Sequence, residues 1–543
     1  MTTQNSILSF YSHISLNAQQ EQATQQLESF FAQTEDQIFV LKGYAGTGKT
    51  TLLKGVLEFL EDLHCNFIAM APTGRASRIL GLKTGQLTGT VHSSIFYVKV
   101  NDDGDLLFRL RETPPNGTIL LIDEASMLKA HPMFLQNSMK REDIIALTVS
   151  AFDQTVPTRF NMGEFLLNDL LTFADLKANP DTKIIFVGDD AQLPPVGLST
   201  ALVFNSDLMK SLGFGYEHSV LTKVERTDNG ILTAATHIRE QIVSGKLNST
   251  KTIQSSDVKM VNHQQLISCF LQENPTLDHC NDSILVLSSN QKVNAANSTI
   301  RGNYFGWSKT PSVQLNEKLM VYANHYGNNN NFHFNGDNLT VLEVLNEIHE
   351  NISVKLSNSE KEQITRSRAA FESKLPGYIS LTGDQAKVEV AIIKLRVKDA
   401  DDNEESIYIS RDFLYAEESD THRIYRRAIA ALANMAEKKY VQECESKQRP
   451  IDNERSEELR SPFSECLYVK FAYAITCHKA QGGEWKKVYA NICTAPDRAR
   501  TLQHFKWVYT AYTRASVKLT VGAPMMQQQF TPRPFIPKIP QTL

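Results

Sequence analysis

Gly43-Tyr44-Ala45-Gly46-Thr47-Gly48-Lys49-Thr50 is the stretch in which residue types and spacing point most directly to chemistry. Its glycines let the backbone curl so that successive N–H groups face inward at a phosphate. A helix starting there adds partial positive charge. Lys49 is long enough to reach β and γ phosphates, and the Thr50 hydroxyl can ligate Mg²⁺. Two further sets of groups lie downstream. Asp123-Glu124 puts adjacent carboxylates at the end of an apolar run, where Asp123 can hold Mg²⁺ through water and Glu124 can deprotonate an attacking water. Gln192, in Gly188-Asp189-Asp190-Ala191-Gln192-Leu193-Pro194-Pro195-Val196, carries an amide able to sense a γ-phosphate; the same stretch also reads as a turn.

These groups need a frame. Ile38-Phe39-Val40-Leu41 before the loop reads as a buried strand, and Leu52, Leu53, Val56, Leu57 and Leu60 after it fall on one helical face. Strands are expected at Asn66–Met70, Thr118–Ile122 and Lys183–Val187, with helices between. That alternation implies a parallel doubly wound sheet with ligands at the strand C-termini. A single amphipathic helix is expected over 12–35, with Asn17 as N-cap. Pro72-Thr73-Gly74-Arg75 marks a turn; Thr73 and Arg75 either cap the next helix or hold a polymer phosphate. Phe96–Val100, an acidic turn at 101–105 and Leu106–Leu110 read as a hairpin insertion. Within 129–182, part of Gln136–Thr155 and Phe165–Leu176 look helical.

A second α/β unit begins at Ser283–Asn290, followed by a helix carrying Val293, Asn297 and Arg301. Residues 320–410 change to short β-rich runs, among them Leu339–Val344, Ile352–Leu356, Val388–Val397 and Ile407–Ile409, which suggests a small barrel-like insertion. A polar helix is expected over Thr421–Glu445 and an exposed charged stretch over 446–460. The α/β pattern returns at Cys466–Ile475, with a helix over Trp507–Ala515 and a last strand at Val517–Val521. The tail, Gln527–Leu543, is rich in Pro and Gln.

The 543 residues are 41% hydrophobic and 21% charged, ordinary values for a globular chain of several domains. No apolar run approaches ~18 residues, so no membrane partner is expected. Met1–Phe10 lacks the pattern of a secretory signal. Seven scattered cysteines, none in a C-x-x-C pair, fit reduced thiols and a cytoplasmic location. A net charge of −4 leaves nucleic-acid binding to a local basic groove.

Taken in order, these motifs resemble the superfamily 1 helicases of the RecD-like, Dda-like class, over about residues 14 to 522. The resemblance implies an α/β fold of two RecA-like P-loop domains with a β-hairpin pin and a small SH3-like β-barrel as insertions. The first domain would span 1–228, with the hairpin at about 90–115 and an extra insertion at about 129–182. The second would combine 229–337 with 466–525, leaving 338–465 as the SH3-like insertion plus a helical, charged segment, and 526–543 as a tail. By the same resemblance ATP and Mg²⁺ are the cofactors. Gln20 would recognise adenine; Gly43, Ala45, Gly46, Thr47, Gly48, Lys49, Thr50 and Thr51 would form the phosphate site; and Gln481, Gly482 and Glu484 would face nucleotide and strand together. Arg226 and Arg514 would contact the γ-phosphate from opposite sides of the cleft, with Lys49, Asp123, Glu124 and Gln192 completing the catalytic set. Pro72, Thr73, His92, Ser93, Phe96, Tyr97, Ser289, Asn290, Thr476, His478 and Lys479 would touch DNA. The implied activity is ATP-driven 5′→3′ travel on single-stranded DNA with unwinding of forked or partial duplexes, by a monomer, in DNA repair or recombination among other pathways.

Overall fold

Four consecutive apolar residues, Ile38-Phe39-Val40-Leu41, satisfy a strand buried on both faces. In the computed structural model they form β1 (Ile38–Gly43), at 0% exposure between two parallel neighbours. The structure describes residues 6–100, 106–130, 165–225, 229–250, 254–326, 332–373, 375–416, 419–449, 461–494 and 498–524. The expected helix in 136–155, Arg226, most of the charged stretch 446–460 and the tail from 525 lie outside these.

The first lobe continues with β2 (Phe67–Ala71), β3 (Thr88–Thr90), the hairpin β4 (Phe96–Val100) and β5 (Leu106–Leu110), then β6 (Ile119–Ile122), β7 (Lys183–Gly188) and β8 (Tyr216–Leu221). Its sheet runs β3-β2-β6-β7-β1-β8, with every pairing parallel. β6 and β7 therefore separate β1 from β2, and the carboxyl ends of β1, β6 and β7 share one edge, where ligands of such sheets gather. The hairpin pairs antiparallel from Phe96↔Leu110 to Val100↔Leu106, while its acidic turn lies outside the described residues.

The helix expected over 12–35 is present with shorter bounds, Ala18–Ala32, and a separate 3-10 turn, Ile7–Tyr11, precedes it. Asn17 caps the helix as expected, accepting from the N–H groups of Gln19 and Gln20. The turn is anchored because Tyr11 lies over Gly55 in the helix Lys49–Asp62, where an added Cβ would stand 2.3 Å from the ring. Gly55→Ala is accordingly expected to cost about 1–3 kcal/mol, read by denaturant unfolding; an unchanged midpoint would contradict this packing.

The second lobe opens with β9 (Val258–Asn262) and β10 (Ser283–Leu287). The chain then leaves through β11 (Lys318–Val321), a short pair β12 (His325–Tyr326) and β13 (Phe332–His333), β14 (Asn338–Lys355), β15 (Ile379–Thr382), β16 (Gln385–Lys398), β17 (Glu404–Ser410), β18 (Cys466–Leu467) and β19 (Val469–Phe471). It returns with β20 (Ala474–Thr476), β21 (Trp485–Asn491) and β22 (Ala515–Ala523) to close a parallel sheet ordered β20-β10-β21-β22-β9.

The inserted sheet is ordered β18-β17-β16-β14-β11-β19, with β15 added on β16. Two sequence expectations change here. The runs Leu339–Val344 and Ile352–Leu356 are not separate strands: β14 crosses the polar stretch between them because it stays paired to β16 throughout, absorbing irregularities at 341/343 and 344/346. The return of the α/β pattern falls later than Cys466, since β18 and β19 pair with β17 and β11 of the inserted sheet. The expected polar helix is present as Ser419–Ser446. Its buried stripe Ile424, Tyr425, Ala428 and Ile429 packs with Val388, Val390 and Ile392 of β16. Among the described residues no helix is long and apolar enough to cross a membrane.

Candidate functional site: a cleft between two parallel-sheet lobes

The phosphate loop follows β1, and its backbone takes the conformation its glycines permit, with φ of +78° at Gly46 and +80° at Gly48. Lys49 Nζ donates to the carbonyls of Gly43 (2.8 Å) and Tyr44 (3.0 Å), which holds it inside the loop. Thr50 and Thr51 begin the helix behind it. Gln20 is 4% exposed and engaged at both ends: Nε2 donates to the Thr47 carbonyl at 3.0 Å, and Oε1 accepts from the Asn17 N–H at 2.9 Å. A Cβ on Gly48 would sit 2.5 Å from that amide nitrogen. Gln20 thus braces the loop.

At the end of β6, burial together with the neighbouring Glu124 raises the Asp123 carboxyl to about 6, and a cation bound beside it would favour the ionised form. Glu124 adopts φ +50°, a left-handed conformation that non-glycine residues rarely take, and its N–H donates to Asp123 Oδ1 at 2.8 Å. Glu124 Oε2 and Gln192 Oε1 are buried without a hydrogen-bond partner. Orphaned buried acceptors on two strand ends of the P-loop edge suit a site made for a hydrated Mg²⁺ and a polyphosphate. Lys49, Thr50 and Asp123 are the residues that would hold them.

The second lobe closes on this edge through the segment after β7. Leu193 receives a bond on each side of its backbone: its N–H donates to Thr510 Oγ1 (2.9 Å), and its carbonyl accepts from Gln481 Nε2 (2.8 Å). Lys506 donates to the Asp190 carbonyl at 2.9 Å. Ala191 and Leu193 bury their side chains in the second lobe's core, beside Ile238, Phe505 and Val508. Gln192, flanked by these two residues, therefore stands at the junction of the lobes. Gly482, at φ +72°, approaches the first lobe closely; a Cβ there would lie 2.9 Å from that of Ala76 and 3.5 Å from Thr73 Oγ1. Arg75 lies 3.9 Å over the Trp485 ring and donates to the Glu484 carbonyl (3.3 Å). The Glu484 side chain is exposed.

Arg514 lies just past the helix Leu502–Tyr512 and is 6% exposed. Its guanidinium donates to the Thr510 and Gly483 carbonyls and to Thr513 Oγ1, all in its own lobe at 3.0–3.1 Å.

The expected strand contacts divide. Asn290, Thr476 and Lys479 come together around a cavity of about 60 Å³ that Tyr322 also lines. Ser289 caps the helix Asn290–Phe305. Burial holds His478 below 6.5, and its Nε2 lacks a partner. Burial lowers Lys479 to about 7; its Nζ lies 3.9 Å over the Tyr322 ring and donates to Asn335 Oδ1 at 2.6 Å. On the first lobe, beyond Pro72, Thr73 caps the helix Gly74–Thr84, and Ser93 is held by Thr90. His92 packs against Phe96 and Phe108 at the hairpin base. Phe96 is a correction: at 1% exposure it is core and presents no surface to a strand. Tyr97, on the opposite face, is 44% exposed and stacks with Arg111.

Sequence reasoning missed Tyr509 and Arg239. Tyr509 donates to Asp189 Oδ2 at 2.6 Å and accepts from the Ala45 N–H at 3.2 Å, joining the second lobe to the phosphate loop. Arg239 ion-pairs with Asp189. Its signal was spacing: it falls four residues after Ala235, on the face of Ile231, Ala235 and Ile238, where an arginine requires a buried partner.

Two parallel-sheet lobes, a P-loop with an Asp-Glu pair on one, and a glutamine-glycine turn and arginine helix on the other define a two-lobed P-loop nucleotide-binding protein. The AAA domain family matches residues 15–144, and the UvrD-like helicase C-terminal domain family matches residues 471–521. The uncharacterized protein R530 of Acanthamoeba polyphaga mimivirus is 23% identical over 93% of this chain and 99% of its own length. The ATP-dependent DNA helicase dda of Enterobacteria phage T4 is 26% identical over 50% of this chain and 53% of its own. The ATP-dependent RecD2 DNA helicase of Deinococcus radiodurans is 30% identical over 31% of this chain and 17% of its own. The chain thus spans about half of the phage helicase and less of the Deinococcus one. Both family matches fall in motif order, and the chain is similar to helicases of the RecD and Dda class.

Proposed function

We propose that this protein is an ATP-dependent DNA helicase that moves 5′→3′ on single-stranded DNA. The observation that carries the reading is the shared edge: the phosphate loop and Asp123-Glu124 end the strands of one lobe, and Gln481 and Thr510 of the other meet that edge through Leu193. Mg²⁺–ATP would supply the phosphoanhydride bond whose cleavage does the work. Lys49 would bind and orient its phosphates, Thr50 and Asp123 would hold the Mg²⁺, and Glu124 would take the proton of the attacking water. Gln192 senses the terminal phosphate and passes its presence to the second lobe through Leu193. Arg514, and Arg226 from the first lobe, complete the charge; Arg514 must leave its own-lobe carbonyls to do so, which makes closure a condition of turnover. Gln20 supports the loop beside the adenine end, and Gly482 and Glu484 face both ligands.

The domain assignment given above remains our proposal, with the β4–β5 hairpin as the strand-separating pin and the inserted sheet as the SH3-like element. Thr73 on one lobe and Thr476 with Lys479 on the other grip the strand alternately, with little sequence preference. A monomer working in the cytoplasm suffices for this cycle. A strand-displacement assay on partial duplexes with 5′ or 3′ overhangs tests activity and polarity together; displacement from 3′ overhangs alone would overturn the direction. An RNA-directed motor is the second outcome, read by stronger stimulation of ATP turnover by RNA than by DNA oligomers.

Lys479 gives a pH test. Below about pH 7 its ammonium is charged, above it neutral. A phosphate grip through Nζ therefore weakens as pH rises from 6 to 8; burial also lowers the neighbouring His478. Fluorescence anisotropy of a labelled oligonucleotide should show this slope in the native protein and a flatter one in Lys479→Gln. Equal slopes would remove Lys479 from the strand site.

A further inference from the structure

Arg239 lies on the helix Gly230–Ser244 of the second lobe and is 2% exposed. Its guanidinium pairs with Asp189, which is fully buried, and donates to Asp190 Oδ1 at 2.7 Å. Both acids follow β7 of the first lobe. The same guanidinium lies 3.8 Å over the ring of Tyr44, inside the phosphate loop. Asp189 has a second partner from the second lobe, the Tyr509 hydroxyl at 2.6 Å, and that hydroxyl accepts from the Ala45 N–H of the loop at 3.2 Å. One buried carboxylate thus gathers a cation and a hydroxyl from the opposite lobe, and each of those also touches the loop.

We propose that Arg239 is a positioning residue which, through Asp189 and Tyr509, ties the leading half of the phosphate loop to the second lobe and so couples loop conformation to lobe position by a route separate from the γ-phosphate arginines. This deepens the assignment of the loop as an ATP site and rests on it. Tyr509 can donate to Asp189 and accept from Ala45 at once, because a phenol holds one proton and free lone pairs. Asp189 cannot exchange these partners for water, being fully buried, so breaking either bond leaves an unpaired group. A shift of Tyr44-Ala45 on filling the loop is then transmitted to the helices carrying Arg239 and Tyr509, since packed interiors do not absorb such shifts. The route is independent of Arg514, whose donors go to its own lobe.

The test uses the full chain with Tyr509→Phe, which removes one hydroxyl and keeps the ring, and Arg239→Lys, which keeps the charge and loses the planar fork. Three readouts are needed: affinity for a fluorescent ATP analogue with Mg²⁺; ATP turnover with and without an oligo-dT strand; and the change in radius of gyration by small-angle scattering on adding a non-hydrolysable analogue. Loss of a bond to a charged group predicts turnover lowered about tenfold or more. Analogue affinity should stay within about threefold, as the loop's own phosphate contacts remain, and the nucleotide-dependent compaction should shrink. A folded Tyr509→Phe protein with native turnover and native compaction overturns the proposal. Should Arg239→Lys fail to fold by circular dichroism, Tyr509→Phe decides alone. The scattering arm needs no strand: native protein that compacts on the analogue yet ignores every nucleic acid would sink the motor reading and leave this coupling to be judged by its own variants. Native protein that binds no nucleotide would sink both.

Discussion

Replacing Lys49 with alanine should cut ATP turnover by at least about 10²–10³-fold while leaving single-strand affinity close to native. The size follows from losing a preorganised cation where charge develops. Lys49 is placed for this by the loop, whose Gly43 and Tyr44 carbonyls hold Nζ at 2.8 and 3.0 Å. The residues proposed to grip the strand, Asn290, Thr476 and Lys479, sit on the other lobe around their own cavity, so the substitution does not reach them. Phosphate release and oligonucleotide anisotropy on one preparation measure both halves. Turnover within a few-fold of native would end the assignment of this loop as the hydrolytic site. Joint loss of turnover and strand binding would instead indicate that the loop also shapes the strand site.

Glu124→Gln should act differently. The amide keeps the volume and the left-handed backbone of φ +50°, and removes only the ability to take a proton. A general base contributes about 10²–10⁴-fold, so kcat should fall by that range with a smaller change in nucleotide affinity. Glu124 is the stronger candidate of the pair because Oε2 is buried without a partner, whereas Asp123 Oδ1 already accepts the Glu124 N–H. Single-turnover hydrolysis, compared with binding of a fluorescent nucleotide, separates the two effects. Near-native single-turnover rates would move the base elsewhere.

Much of this was readable before any coordinates. A loop of glycines between an apolar run and a helical face has few structural solutions, and β1 and the helix after it are where those residues require. The same holds for Asp123-Glu124, since Ile119-Leu120-Leu121-Ile122 has to be buried on both faces. What escaped depended on contacts between distant segments. Nothing local in Ala191 or Leu193 says that they complete a core built from residues 231–521. Phe96 looked like an arm aromatic free to stack on a base, yet strand alternation turns it inward and its neighbour Tyr97 outward. β14 read as two strands because its middle is polar; pairing with β16, rather than burial, carries it across.

The placement of Ala191 and Leu193 bears on any attempt to dissect the chain. A fragment beginning near residue 229 would carry every strand of the second parallel sheet but lack two of the plugs that seal it, leaving an oily hole on the face that also bears Phe505 and Val508. Such a piece would be sticky and prone to aggregate in isolation. Supplying the peptide around 189–194 in trans would be the rational way to keep it in solution.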